Sequence, residues 1–172
     1  MKTLVIVAHS NLESSRANRR RVENVKKYSE ITVHELYKAY PDWHIDTQRE
    51  QQLLLEHDRI VFQFPLHWYS TPALLQKWLE DVLAFGWSYG PGGNSLAGKE
   101  FILAVTSGGA KEYYRPEGIN LFTVEELLRP FQVTIHRSQG KYKLLDVLYG
   151  VKNLTDEELD RDAEAYASRI LG

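Results

Sequence analysis

Residues 59–78 read RIVFQFPLHWYSTPALLQKW. Arg59–Pro65 is a short run rich in β-branched and aromatic residues, which predicts a buried strand. From Pro72 onward, apolar residues recur at helical spacing: Leu74, Leu75, Trp78, Leu79, Val82 and Leu83. Pro72 suits the first turn of that helix, with Ser70 or Thr71 as its cap and Gly86 as its stop. Between strand and helix stand His67, Trp68 and Tyr69, where small polar residues are usual. Bulky flat side chains there require either a packing role or a flat ligand.

Working outward, the same strand-then-helix pattern repeats. Thr3–Ala8 (TLVIVA) is a continuous apolar run, as expected of a central parallel strand covered on both faces. Ser15 can cap a helix running to about Tyr28, and Ile31–Leu36 alternates as a less buried strand. Asp46 or Thr47 opens a short helix ending near His57. Trp87–Gly98 reads as a glycine-rich loop and Glu100–Thr106 as a fourth strand. A helix is expected over about Thr123–Pro130, and a fifth strand at Gln132–Arg137 (QVTIHR). Thr155 and Glu158 form a capping-box pattern for a last helix to about Leu171. Strands alternating with helices predict a parallel sheet with helices on both faces, in one domain over residues 1–172.

Composition narrows the function. With 43% hydrophobic and 26% charged residues, the chain is of ordinary globular type. A net charge of −2 gives no global attraction for nucleic acid or an anionic membrane. There are no cysteines, which excludes disulfides, thiolate metal sites and a cysteine nucleophile. The apolar run in MKTLVIVAHS is too short for a signal peptide, so a cytoplasmic location is expected. The six histidines form no ligand cluster, and no metal site is expected. His34, His44 and His57 read as surface or capping residues. The basic run Arg19-Arg20-Arg21 with Lys26 and Lys27 reads as a solvated helix face or as a contact for an acidic partner or a lipid surface.

In an open parallel sheet, ligands bind beyond the carboxyl ends of the strands, at the switch point of strand order. Three predicted loops leave those ends. His9–Asn18 offers hydroxyls and the start of a helix, which serves either N-capping alone or phosphate binding, with Arg16 adding charge. The glycine fingerprint of a dinucleotide loop and the Walker pattern are both missing. Leu66–Tyr69 either packs the next helix or forms a flat wall. Thr106-Ser107-Gly108-Gly109 is either an ordinary turn or a backbone edge that a ligand approaches closely. Together these loops have the layout that a flavin mononucleotide needs.

The segments AHSNLESSRAN, YPDWHID, FPLHWYSTPALLQKWLEDVLAFGWSYGPGG and TSGG resemble the flavodoxin-like NAD(P)H:quinone oxidoreductases, including the bacterial branch with the ancillary protein of the glutathione-regulated potassium-efflux system. The resemblance implies a three-layer α/β sandwich with strand order 2-1-3-4-5. It implies FMN, rather than the FAD of longer relatives, with NAD(P)H as co-substrate and a quinone-like acceptor. By position, His9, Ser15, Arg16, Ala17 and Asn18 would hold the phosphate and ribityl chain. Leu66, His67, Trp68 and Tyr69 would meet the ring, and Thr106, Ser107, Gly108 and Gly109 its polar edge. Related enzymes are homodimers with the active site between subunits. That implies Trp87 and Tyr89 in the partner's substrate pocket, and the helix of Trp78 at the interface unless Trp78 is core. Some relatives carry a tyrosine and then a histidine beyond the glycine pair; Tyr114 falls at the first position and Asn120 at the second. Both are candidate catalytic residues, although neutral asparagine cannot act as a general acid. The alternative role is that of an ancillary subunit of a potassium-efflux antiporter, placed at the inner membrane through its partner. A one-electron flavodoxin carrier fits the near-neutral charge and the aromatic loop less well.

Overall fold

The computed structural model describes residues 1–172. Five parallel strands form one sheet: β1 (Thr3–Val7), β2 (Ile31–Glu35), β3 (Arg59–Pro65), β4 (Glu100–Thr106) and β5 (Lys141–Leu148), in the order β2-β1-β3-β4-β5. The alternation along β1 explains its continuous apolar run. Leu4, Ile6 and Ala8 enter one core and Val5 and Val7 the other, all at 2% exposure or less.

On one face lie α1 (Arg16–Val25) and the last helix, α7 (Asp156–Leu171), which pack against each other. On the other lie α2 (Leu36–Ala39), α3 (Thr47–Leu55), α4 (Ala73–Val82), α5 (Val124–Leu127) and α6 (Arg129–Arg137). Local chemistry sets several ends. Ser15 Oγ accepts the Asn18 N–H at the start of α1, and Asp46 Oδ1 accepts the Arg49 N–H at the start of α3. Thr155 and Glu158 make the full capping box of α7. The start of α4 differs from expectation. Neither Ser70 nor Thr71 caps it; Pro72 stands at the cap position, and the Leu74 N–H donates to the Tyr37 hydroxyl at 3.3 Å.

The expected fifth strand is a correction. Gln132–Arg137 lies inside α6, where Pro130 starts the helix and Phe131 and Ile135, four apart, point into the core. The strand is instead Lys141–Leu148, half-buried at the sheet edge, with an irregular register opposite Phe101 and Ile102. Two histidines expected at the surface are buried, His34 against Glu50 and His57 against Thr32 Oγ1 and the Leu53 carbonyl. Trp78 is core, fully buried, with its indole N–H donating to Glu50 Oε2 at 2.7 Å. The basic run is not a free face. Arg21 is buried between Asp146 and Asp162, Arg20 pairs with Asp156 and Asp160, and Arg19 pairs with Glu23.

Candidate functional site

The chain steps from β1 to β2 on one side and to β3 on the other, so β1 and β3 flank the switch point. There the loops after β1, β3, β4 and β5 enclose a cavity of about 710 Å³, within the usual size range of small-molecule pockets.

The first loop brings in His9, Ser14, Ser15, Arg16, Ala17 and Asn18. Ser15 Oγ is engaged as the helix cap, and the N–H groups of the first turn have no intrahelical acceptor. Asn18 is 2% exposed; its Nδ2 donates to Thr106 Oγ1 at 2.9 Å, tying α1 to β4. Arg16 does not stand free. Its guanidinium donates to the Leu154 carbonyl and to Asp156 on the far side of the loop before α7. His9 Nδ1 accepts the Asn11 N–H at 3.1 Å, which leaves the proton of the neutral ring on Nε2. Burial, and secondarily the nearby His67, lower the His9 pKa, so the neutral form is favoured.

The second loop is a two-residue hairpin. His67 and Ser70 exchange N–H···O bonds at 2.9 Å in both directions, with Trp68 and Tyr69 between them at φ +45° and +63°. Positive φ at both central residues is the signature of a primed turn, normally filled by Asn-Gly. Two aromatic residues in that geometry carry strain of order 1–3 kcal/mol each. Trp68 is also 92% exposed. Leu66 and His67 line the cavity, while Trp68 and Tyr69, next along the chain, are not among the lining residues.

The third loop brings in Thr106, Ser107, Gly108, Gly109 and, further on, Tyr114. The Gly108 N–H makes no hydrogen bond within the chain. Ser107 Oγ accepts the Gly109 N–H and lies 2.8 Å from the Tyr114 hydroxyl. A Cβ on Gly109 would come within 3.2–3.3 Å of the Tyr113 and Tyr114 side chains, so a larger residue there would press on both tyrosines. Asn120 is not a cavity residue; its backbone bonds to Tyr113 and Phe122. Trp87 and Tyr89 are also outside this cavity. Tyr89 lines a separate groove of about 360 Å³ between α4 and α6, together with Leu79, Leu83, Phe131 and Val133.

A fourth loop, after β5, contributes Val151 and Lys152, which sequence reasoning did not single out. The misplaced fifth strand hid them. Once β5 ends at Leu148, YGVKNL becomes a strand-end loop like the other three.

This is the ligand-binding edge of a flavodoxin-like α/β protein. A model of the flavodoxin-like fold family matches residues 1–170, and the chain belongs to that family. It is 46% identical over 170 residues to an uncharacterised NAD(P)H oxidoreductase, YdeQ, of Bacillus subtilis (strain 168), covering 99% of this chain and 86% of that one. It is 41% identical over 165 residues to the glutathione-regulated potassium-efflux system ancillary protein KefG of Enterobacter sp. (strain 638), covering 96% and 90%. Among solved structures, general stress protein 14 of Treponema denticola in complex with FMN superposes with a TM-score of 0.95, at 36% identity over 99% and 98% of the two chains. A structure named as a thermophilic tryptophan halogenase from Streptomycin violaceusniger superposes equally well, TM-score 0.95, at 45% identity over 98% of each chain. The names of these similar proteins differ, so the reaction must be argued from the cavity.

Proposed function

We propose that the protein is an FMN-dependent NAD(P)H:quinone oxidoreductase working by two-electron, ping-pong hydride transfer. One observation carries this reading. The cavity at the switch point joins an anion-ready helix start on α1 to the free Gly108 N–H and the Ser107–Tyr114 hydroxyl pair. That donor set fits FMN: a phosphate at one end and a flat ring with a polar edge at the other. The FMN in the Treponema denticola protein and the oxidoreductase name of the Bacillus subtilis relative support it.

Ser14, Ser15 and the first-turn N–H groups of Arg16 and Ala17 hold the phosphate, with Arg16 braced by Asp156. His9 donates from Nε2. Asn18 acts by position, fixing α1 against Thr106. Leu66 and His67, with the Trp68-Tyr69 turn above them, form the wall that excludes water from the ring face. Gly108 and Gly109 leave room and a free donor for the ring's polar edge, and Tyr114 places a hydroxyl beside it. When bound, the flavin supplies the two-electron carrier that takes hydride from NAD(P)H and passes it to a quinone-like acceptor entering the same place.

A second copy of the chain completes the pocket in this reading. The apolar groove beside Tyr89, the packed Phe85–Tyr89 pair and the exposed Phe85 and Val133 supply a face for it, and Trp87 and Tyr89 then serve the partner's site. Light scattering reads the mass directly. The protein is placed in the cytoplasm, and no helix is long and apolar enough to cross a membrane.

The test is the visible spectrum of the purified protein with its released flavin identified. Bound FMN that bleaches with NAD(P)H and recovers with a quinone is the expected result. No flavin, and no uptake of added FMN, overturns the reading. The KefG relative favours a second role, that of ancillary subunit to a potassium-efflux antiporter, which co-purification with the transporter tests.

A further inference from the structure

We propose that Lys152 is the cationic partner of the reduced flavin ring, doing the work that Asn120 cannot do. The inference rests on the flavin reading above and adds a residue to it.

Lys152 lines the cavity, and no carboxylate lies within salt-bridge distance of it. The other permanent cation of the lining, Arg16, is already paired with Asp156. His9 is favoured neutral by burial. Lys152 is therefore the permanent positive charge of the cavity that carries no counter-ion.

Its place is fixed from both sides. Gly150 N–H donates to the Gly109 carbonyl at 2.9 Å and Val151 N–H to the Ser107 carbonyl at 3.1 Å, which fastens this loop to the glycine pair. Beyond Lys152, the Leu154 carbonyl accepts from Arg16. The lysine stem lies over Gly108, its Cε only 3.2 Å from where a Cβ would stand. The charge thus sits beside Gly108, a lining residue whose N–H has no partner in the chain. That position belongs to the edge assigned to the ring.

The chemistry favours such a charge. A hydride brings two electrons and one proton, so a neutral flavin that accepts it carries one extra negative charge until a second proton arrives. A fixed cation a few ångströms away favours that form over the oxidised one. Asn120 is neutral, outside the lining, and cannot supply the charge.

The test compares the full-length wild type with Lys152→Gln and Lys152→Arg. FMN and riboflavin affinities are measured by fluorescence titration, and the two-electron midpoint potential by equilibration with a reference dye. Lys152→Gln is expected to bind oxidised FMN within about twofold of wild type but to lose roughly tenfold in preference for the reduced form. That is a fall of about 30 mV in the two-electron potential. Lys152→Arg is expected to restore it, and added salt to shrink the difference. An unchanged potential in Lys152→Gln overturns the proposal. So does a variant that loses FMN affinity while keeping riboflavin affinity, because the lysine then serves the phosphate. If wild type binds no flavin, the functional reading itself fails, and this shows before any variant is made.

Discussion

The Tyr114 hydroxyl lies 2.8 Å from the Ser107 hydroxyl, whose oxygen also accepts the Gly109 N–H at 3.1 Å. A residue eight positions beyond the end of β4 thus reaches back to the start of its own loop. Both hydroxyls rotate, so either can be the donor, and the pair can present one O–H to the cavity.

Tyr114→Phe removes that hydroxyl and keeps the ring, which packs 5.7 Å from Tyr149. The fold is expected to lose about 1 kcal/mol, the value of one partly buried hydrogen bond. Turnover with NAD(P)H and a quinone is expected to fall about tenfold, or roughly 1.4 kcal/mol in the barrier. A variant with wild-type turnover would remove Tyr114 from the mechanism.

The strained aromatic turn makes a second prediction, in which stability and function move in opposite directions. Replacing Trp68-Tyr69 by Asn-Gly supplies residues that accept positive φ without penalty. Urea denaturation should show a gain of at least about 2 kcal/mol, since both residues are relieved of strain of order 1–3 kcal/mol each. The same change removes the two aromatic residues that follow the lining residue His67, and FMN affinity is expected to drop about tenfold. A double variant no more stable than wild type would mean that the turn stores no strain.

The central sheet was legible because β1, β3 and β4 are covered on both faces, and burial leaves a continuous apolar run. The edge was not. Lys141, Lys143 and Asp146 interrupt β5, and its apolar residues are half-buried or, at Leu144, exposed, so LLDVL carries no clean period. QVTIHR offered three consecutive β-branched residues, which imitates a strand; the core contacts of Phe131 and Ile135 decide for helix. The three site loops could be read from strand ends, and the fourth was lost with β5. The positive φ of the aromatic pair has no sequence signal, because Trp-Tyr contradicts the usual residues of such a turn.

Buried away from the cavity, Glu50 accepts hydrogen bonds from His34, Tyr40 and Trp78, joining β2, α3 and α4. Burial alone would raise its pKa. The donors, His34 first, outweigh burial and hold the carboxyl below its ordinary 4.5. A depressed folded-state pKa adds stability above the ordinary value and loses it as pH falls through the folded value. Glu50→Gln should cost about 2–3 kcal/mol at neutral pH. The gap from wild type should narrow as pH falls below 4.5. A gap that stays constant down to acid pH would mean that the carboxylate is not the stabilising form.

The arginine run allows a sharp comparison of neighbours. Arg21 is 1% exposed, donates to Asp162 through Nε at 2.7 Å, and contacts Asp146 on β5, linking α1, α7 and the sheet. Removing it leaves two largely buried carboxylates short of a partner, although Arg169 still reaches both. Arg21→Ala is expected to cost about 3–5 kcal/mol. Arg19 pairs with Glu23 four residues on, with both side chains partly in solvent. Arg19→Ala should cost no more than roughly 0.5 kcal/mol, and that small loss should vanish in high salt. The loss at Arg21 should persist in salt, because buried charges are weakly screened. Chemical denaturation of both variants at low and high salt decides the matter. Equal losses at the two positions would show that the buried network does not hold α1 and α7 to the sheet.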